Sequence, residues 1–301
     1  MNILIFGNSN DYEIISFLDN LYKYNYEFNL NHVIIPILLE NNYSPSITWD
    51  YNEDILIIDG MNIKPDVVWF RRYVLHDNNN LQLRSKRLHH IIQGWLLSHP
   101  DVKIINRNWL NKFNNKIYQL NLAKKIGMKI PNTVLTNSVK IMEIFKNNSI
   151  IKPIDNGFCC ELKNILDNLI DNNDFRINNN NELVSSSPAF IQEKLLNPEY
   201  RIYFIFGNIV SFKIESNKID HRTDENSKIY NISTNEIGDE LLIKIGKLFG
   251  LIDLDFGALD FKINDNNELI FLEVNDFPMF SKFDQISSNK ISTFIFNNLL
   301  K

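Results

Sequence analysis

The chain has 301 residues, 44% of them hydrophobic and 22% charged, with a formal net charge of -5. That composition describes a globular protein with ample core, and its slight acidity offers no basic field that would favour nucleic acid as a partner. The two cysteines, Cys159 and Cys160, are adjacent, which excludes a disulfide framework and a CxxC metal site and makes a reducing cytoplasm the natural compartment.

The opening Met1-Asn-Ile-Leu-Ile-Phe-Gly7 is a short buried-strand pattern that lacks signal-peptide features, and no apolar run is long enough to cross a bilayer. Strands are then expected at Val33–Leu38, Ile55–Ile58, Val67–Phe70 and Lys103–Ile105, and helices at Tyr12–Leu21 and Leu81–Leu97. Strands alternating with helices imply a mostly parallel sheet over the first 110 residues. Gly7-Asn-Ser-Asn after the first strand has too few glycines for a dinucleotide fingerprint and reads as a plain turn.

A second region, 111–190, begins with a helix over Asn114–Ile126 stopped by Gly127. An extended segment at Ile130–Thr136 and a short helix at Ile141–Phe145 lead to the strand Ser149–Pro153, with Lys152 at its end. The third region, 191–301, opens with the strand end Gln192-Glu193-Lys194-Leu195. It continues through Glu199-Tyr-Arg201 into a hairpin turning at Gly207-Asn208, with Lys213 on the return strand. A helix over Glu236–Leu248 precedes the segment Asp260–Asn275.

That segment reads as a β-hairpin closed by the turn-prone run Asn264–Asn267. Symmetric closure sets Ile263 against Glu268 and Asp260 against Phe271. Alternation then places Leu259, Phe261, Ile263, Ile270, Leu272 and Val274 on an apolar face. Asp260, Lys262, Leu269, Phe271, Glu273 and Asn275 fall on the other face, with Asp260 and Glu273 diagonal across the ladder and their Cβ atoms roughly 7 Å apart. Two carboxylates and an amide oxygen suit a hard cation such as Mg²⁺, which takes oxygen ligands and keeps waters that phosphate can replace. Taken alone, the pattern equally fits a solvated sheet face.

In chain order Lys116, Lys152, the loop at Gly157, Gln192-Glu193-Lys194-Leu195, Glu199, Arg201, Lys213, Asp260, Glu273 and Asn275 follow one another. From about Lys116 to Phe280 this order resembles the ATP-grasp ligases, and the preceding α/β region resembles the domain those enzymes place first. The resemblance implies an α/β ATP-grasp fold: a pre-ATP-grasp domain over 1–110, a central lobe with a lid loop over 111–190, and a C-terminal lobe with the Mg²⁺ site over 191–301. It implies ATP and Mg²⁺ as cofactors. Lys116 and Lys152 would meet the α- and β-phosphates, the loop at Gly157 would cover the triphosphate, and Gln192 to Leu195 would read the adenine edge. Glu199 would take a ribose hydroxyl, Asp260, Glu273 and Asn275 would hold Mg²⁺, and Arg201 and Lys213 would stabilise the transferring phosphoryl group. The single glycine of Asp155-Asn-Gly157-Phe departs from the glycine-rich lid of many relatives.

Pro65-Asp-Val-Val-Trp69-Phe-Arg71-Arg72, the run from Lys103 through Asn115-Lys116 to Asn137, and Asp220-His-Arg222 resemble the ribosomal peptide maturases of the microviridin or graspetide kind. Such enzymes join Asp or Glu side chains of a precursor peptide to Ser/Thr hydroxyls or Lys amines. The resemblance implies a precursor peptide as partner, a homodimer, and Arg222 as the group that binds the acceptor carboxylate or acyl phosphate. Arg71, Arg72 and Arg84 are expected to meet acidic peptide, although a solvated helix face accounts equally for Arg84. Two other readings stay open: a small-molecule or amino-acid ligase of the same fold, and a non-catalytic ATP-binding scaffold.

Overall fold

The structure, a computed structural model, describes residues 1–40, 45–50, 52–71, 79–107, 115–154, 159–167 and 175–300. The chain begins with β1 (Asn2–Asn8), α1 (Tyr12–Glu27), β2 (Val33–Leu39), β3 (Ile47–Asp50), β4 (Ile55–Ile58), β5 (Met61–Ile63), β6 (Val67–Phe70), α2 (Asn79–Ser98) and β7 (Lys103–Ile104). Strands β2-β1-β6-β7 form the expected parallel sheet. Ile3 to Phe6 are almost fully buried, as a continuous apolar strand between two covering layers must be. The expected strand Ile55–Ile58 lies elsewhere. It is the middle of a separate antiparallel meander, β3-β4-β5, of which β3 and β5 were not foreseen. The connections explain the difference. Asp54, Asp59 and Gly60 all adopt positive φ, giving tight turns, whereas a parallel pairing needs a long crossover.

The middle of the chain supplies α3 (Lys116–Lys125), β8 (Thr133–Ser138), α4 (Val139–Ile144), β9 (Ser149–Pro153), β10 (Cys160–Glu161), α5 (Leu162–Asp167), β11 (Phe175–Ile177) and β12 (Leu183–Glu193). The central sheet runs β10-β9-β12-β11, with β8 also on β12, and is antiparallel throughout. A small cluster, Val139, Met142, Leu162, Leu166 and Ile191, covers one face of it, and Phe190 joins the core around α6.

The remainder contains β13 (Leu196–Ile205), β14 (Asn208–Glu215), β15 (Lys228–Ile232), α6 (Asp239–Ile252), β16 (Phe256–Ile263), β17 (Leu269–Asn275), α7 (Ser281–Ile286) and α8 (Lys290–Leu299). Its sheet, β15-β14-β13-β16-β17, is buried on both faces. On one face Ile202, Leu259, Phe261 and Phe271 meet Leu248 and Phe249 of α6. On the other, Tyr203, Phe212 and Phe256 join Phe17 of α1 and Phe296 of α8. The N-terminal domain and the C-terminal sheet therefore share a core.

Helix α3 also belongs physically to that C-terminal body. The Gln119 side chain donates to the Val274 carbonyl (3.0 Å) and accepts from the Val274 amide (2.8 Å), while Leu120 and Ala123 enter the α6 cluster. Asn115 caps α3 by accepting from the Tyr118 amide, which starts the helix at Lys116 and aims that residue along the sheet.

Candidate nucleotide and metal site

Three adjacent strands build one wall of the cleft. Arg201 on β13 lies opposite Asp260 on β16, and Asp260 lies opposite Glu273 on β17, so the three charges stand in one row across the sheet. This register differs from the expected one. The hairpin loop has five residues, 264–268, because the Asn264 side chain accepts from the amides of Asn266 (3.0 Å) and Glu268 (2.9 Å) and holds a wider turn. Ile263 then pairs with Leu269, and an irregularity between Asp260 and Phe261 shifts the ladder once more. Asp260 and Glu273 become direct partners, not diagonal ones. Phe271 leaves the site face and stacks edge-on with Phe261, ring centroids 5.6 Å apart, in the apolar core.

Lys116 reaches Glu273 from α3 at 3.1 Å, and Lys152 reaches it from the central sheet at 3.9 Å. Both ammonium groups approach the same oxygen, so a single carboxylate links the two lobes. Burial opposes ionisation of Glu273, yet the two lysines hold its carboxyl below the ordinary value. Burial pulls Lys152 below its usual range, with Glu273 opposing that and Lys116 adding to it. Asp260 behaves differently. Burial, with Glu199 and Glu273 nearby, pushes it up to about 7 despite Arg201.

Those features fit a cation site. Arg201 Nε and Asp260 Oδ1 approach to 3.5 Å, but both are buried polar atoms with no hydrogen-bond partner among the described residues. Asn275 Nδ2 donates to the other Asp260 oxygen at 2.9 Å. An unsatisfied buried carboxylate oxygen carries a cost that a divalent cation would remove. Among the described residues no three acidic, histidine or cysteine side chains converge, so the donor set is two carboxylates and one amide. All-oxygen donors of that number suit Mg²⁺ with waters or phosphate completing its shell.

Glu199 shares the face of Arg201, two residues along β13. His221 Nδ1 approaches its carboxylate at 3.1 Å and Lys262 Nζ at 3.9 Å. Arg222 forms a fork with Asp220, its Nε 2.8 Å from Oδ1, and its charge is favoured first by that hydrogen bond and also by Glu273 and Glu199. Sequence reasoning gave no role to His221 or Lys262. The signal was present in Lys262, a lysine that alternation puts on the same hairpin face as Asp260.

Other expected residues sit differently. Lys213 lies opposite Tyr200, on the reverse face of the sheet from Arg201, and pairs with Glu215 at 2.9 Å. It cannot meet a phosphoryl group at Asp260, because alternation turns every second side chain to the other face. Gln192 is 2% exposed and donates to the Thr133 hydroxyl at 2.9 Å, a contact inside the central sheet. The Glu193 and Lys194 amides donate to the carbonyls of Asn132 and Asn148, and the Lys194 ammonium pairs with Glu161. Arg71 binds Asp11 (2.6 Å) and the Pro278 carbonyl (3.3 Å), so its guanidinium joins the N-terminal domain to the loop after β17 and offers no basic patch to a peptide. Arg84 is on α2 with its side chain outside the described residues, and Arg72 and Gly157 also lie outside them.

No protein-family model and no curated protein sequence matches the chain. Solved structures do. The ATP-grasp ligase PsnB, solved with a phosphomimetic variant of a minimal precursor, Mg and ADP, superimposes with a TM-score of 0.74 at 19% identity, covering 99% of this chain and 97% of that one. The macrocyclase MdnC from Microcystis aeruginosa, bound with the precursor peptide MdnA, gives 0.74 at 19% identity over 100% and 99%. The D-Ala:D-Ser ligase VanG from Enterococcus faecalis gives 0.63 at 16% identity over 99% and 98%. From first strand to last helix, the chain has the fold of the ATP-grasp ligases.

Proposed function

We propose that this protein is an ATP-dependent ligase that activates Asp or Glu side chains of a precursor peptide and joins them to Ser/Thr hydroxyls or Lys amines. The observation that carries the reading is the meeting of Lys116, Lys152 and Arg201, from both lobes, on the Asp260–Glu273 pair. A binding scaffold has no need of a buried pair of carboxylates, one oxygen of it unsatisfied, with three cations around the pair. Precursor peptides in the PsnB and MdnC structures support the peptide as substrate.

Asp260, Glu273 and Asn275 would hold Mg²⁺, which supplies charge neutralisation across the phosphate oxygens. The chain's own residues do the rest. Lys116 and Lys152 bind the phosphates from opposite sides of the cleft. Arg201, buried and pinned above Tyr203 and Phe283, is pre-aimed at the charge that develops as the γ-phosphoryl group moves to the carboxylate. That transfer forms an acyl phosphate and releases ADP. The hydroxyl or amine then attacks the carbonyl carbon, loses its proton, and phosphate leaves, so each bond removes one water from the peptide. Arg222, whose fork holds Asp220, would exchange that partner for the acyl phosphate, since a guanidinium fork matches planar oxygen pairs.

Mass spectrometry of an acidic, hydroxyl-rich peptide encoded beside the gene, incubated with the protein, Mg²⁺ and ATP, tests the reading. Loss of one or more waters that requires ATP is expected. An unchanged peptide together with ADP formation on free amino acids would replace it by an amino-acid ligase. We further infer a cytoplasmic homodimer. Among the described residues no helix is long and apolar enough to cross a membrane, and exposed Tyr22, Tyr26 and Phe28 along α1 are a surface that a second copy would cover. Light scattering on the purified protein reads the oligomeric state.

A further inference from the structure

We propose that Lys262 is a positioning residue for the sugar of the bound nucleotide, a role that rests on the cleft taking ATP. Lys262 lies on β16 two residues beyond Asp260 and is 8% exposed. A lysine normally extends its ammonium group to water. This one is spent entirely on protein oxygens: the Ile219 carbonyl at 2.7 Å, the Asn197 side-chain oxygen at 3.0 Å and the Glu199 carboxylate at 3.9 Å. Burying an ammonium group is costly unless such partners surround it, so the placement is specific to this loop arrangement.

The contacts form one brace. Asn197 stands at the start of β13, just past the junction of the two lobes, and its amide donates to the carbonyls of Ser216 (2.5 Å) and Lys218 (3.1 Å). Asp224 closes the same loop by accepting from the Ser216 hydroxyl (2.7 Å) and the Asn217 amide (2.8 Å). Lys262 therefore ties the lobe junction, the 216–224 loop and Glu199 to the strand that carries Asp260. His221, delivered by that loop, meets one Glu199 oxygen while Lys262 faces the other. A carboxylate gripped from both sides keeps one orientation. Glu199 sits four residues after Leu195 on the site face, between the segment that would meet the purine and the row of charges that would meet the phosphates. A sugar diol, which donates two hydroxyl hydrogens, is the ligand chemistry that fits a fixed acceptor at that point.

The test compares binding of Mg·ADP, Mg·2′-deoxy-ADP and Mg·3′-deoxy-ADP to the full chain by calorimetry. The unmodified protein is expected to prefer ADP over at least one deoxy analogue by about tenfold, the worth of a hydrogen bond to a charged group. In Lys262→Met that preference falls below about threefold, because ADP weakens to the level of the analogue. Lys262→Arg restores it in part, and trypsin cleaves Lys262→Met faster after Lys218 and Arg222. If Lys262→Met shows no cooperative melt, Lys262→Gln is read in its place, with the same loss of preference expected. A variant that keeps the sugar preference intact overturns the role of Lys262 alone. An unmodified protein that binds none of the three nucleotides overturns the ligase reading, and this inference with it.

Discussion

The two sheets that face each other across the cleft are built to different standards. The C-terminal sheet has a packed layer on each face and presents Glu199, Arg201, Asp260, Glu273 and Asn275. Among the described residues the central sheet packs one face on a five-residue cluster and joins the α6 core through Phe190, its strands leave Leu135 and Ile177 exposed, and it contributes Lys152. Reactive charges need fixed positions, and a sheet pinned on both sides supplies them. A sheet with few buried apolar contacts opens at lower cost, and that would suit the wall through which the proposed nucleotide enters and leaves. The difference divides labour between a rigid anvil and a lighter cover that carries one cation.

The comparison breaks most sharply at Glu273, the carboxylate both walls share. Glu273→Gln is expected to cut turnover by about 10³-fold or more while the thermal transition stays cooperative. Near-normal turnover would remove the metal assignment. Arg222→Ala should lower single-turnover ligation by about 10²-fold yet leave Mg·ADP affinity within about threefold; normal product formation would take Arg222 out of the site. The two cores are separated by a pair of truncations. Phe212→Ala in the doubly covered sheet should cost about 3–5 kcal/mol in global unfolding by urea. Met142→Ala should appear chiefly as faster hydrogen exchange across residues 133–193, with Glu273 and its neighbours unchanged.

A smaller effect concerns pH. Burial and two neighbouring carboxylates put the Asp260 pKa near 7, and a ligating carboxylate must be ionised. Below that value a proton must leave before the cation enters, so the Mg²⁺ affinity measured with ADP should fall as pH drops from 8 to 6 and level off above 8. A flat profile would show that Asp260 does not titrate in that range when the cation enters. Least of all, Lys213→Ala should leave turnover within about twofold, since that side chain lies on the reverse face beside Glu215. A large loss there would overturn the face assignment.

Much of this was legible beforehand because local chemistry dictates it. The parallel strands are apolar on both sides, Gly127 stops the helix that becomes α3, and the acids of the last hairpin alternate with core residues. What escaped depends on long-range or turn-scale detail. Alternation predicts faces only after register is known; the Asn264 side chain, by widening one turn, moved Phe271 into the core, and the irregularity after Asp260 set that residue opposite Glu273. Arg71 looked like a ligand-facing charge because its partners, Asp11 and the Pro278 carbonyl, are 60 and 207 residues away. Lys262 was legible only as a residue on the Asp260 face, because the carbonyl that holds it comes from a loop 43 residues earlier.

One residue at the domain border has a consequence for anyone recombining such enzymes. Asn106, in a left-handed backbone conformation, donates from its side chain to the carbonyls of Phe256 (2.8 Å) and Asp276 (3.2 Å) and accepts from the amides of Asp255 (2.8 Å) and Phe256 (2.9 Å). Its own amide is held by the Asp255 carboxylate at 3.0 Å. The first domain, which already shares a core with the last, is thus stitched to it again at its exit by one amide side chain, close to the acids of the site. A chimera that swaps the N-terminal domain at residue 105 would keep that stitch, whereas one cut at residue 110 would import a foreign one, and graft points should be chosen on the near side of Asn106.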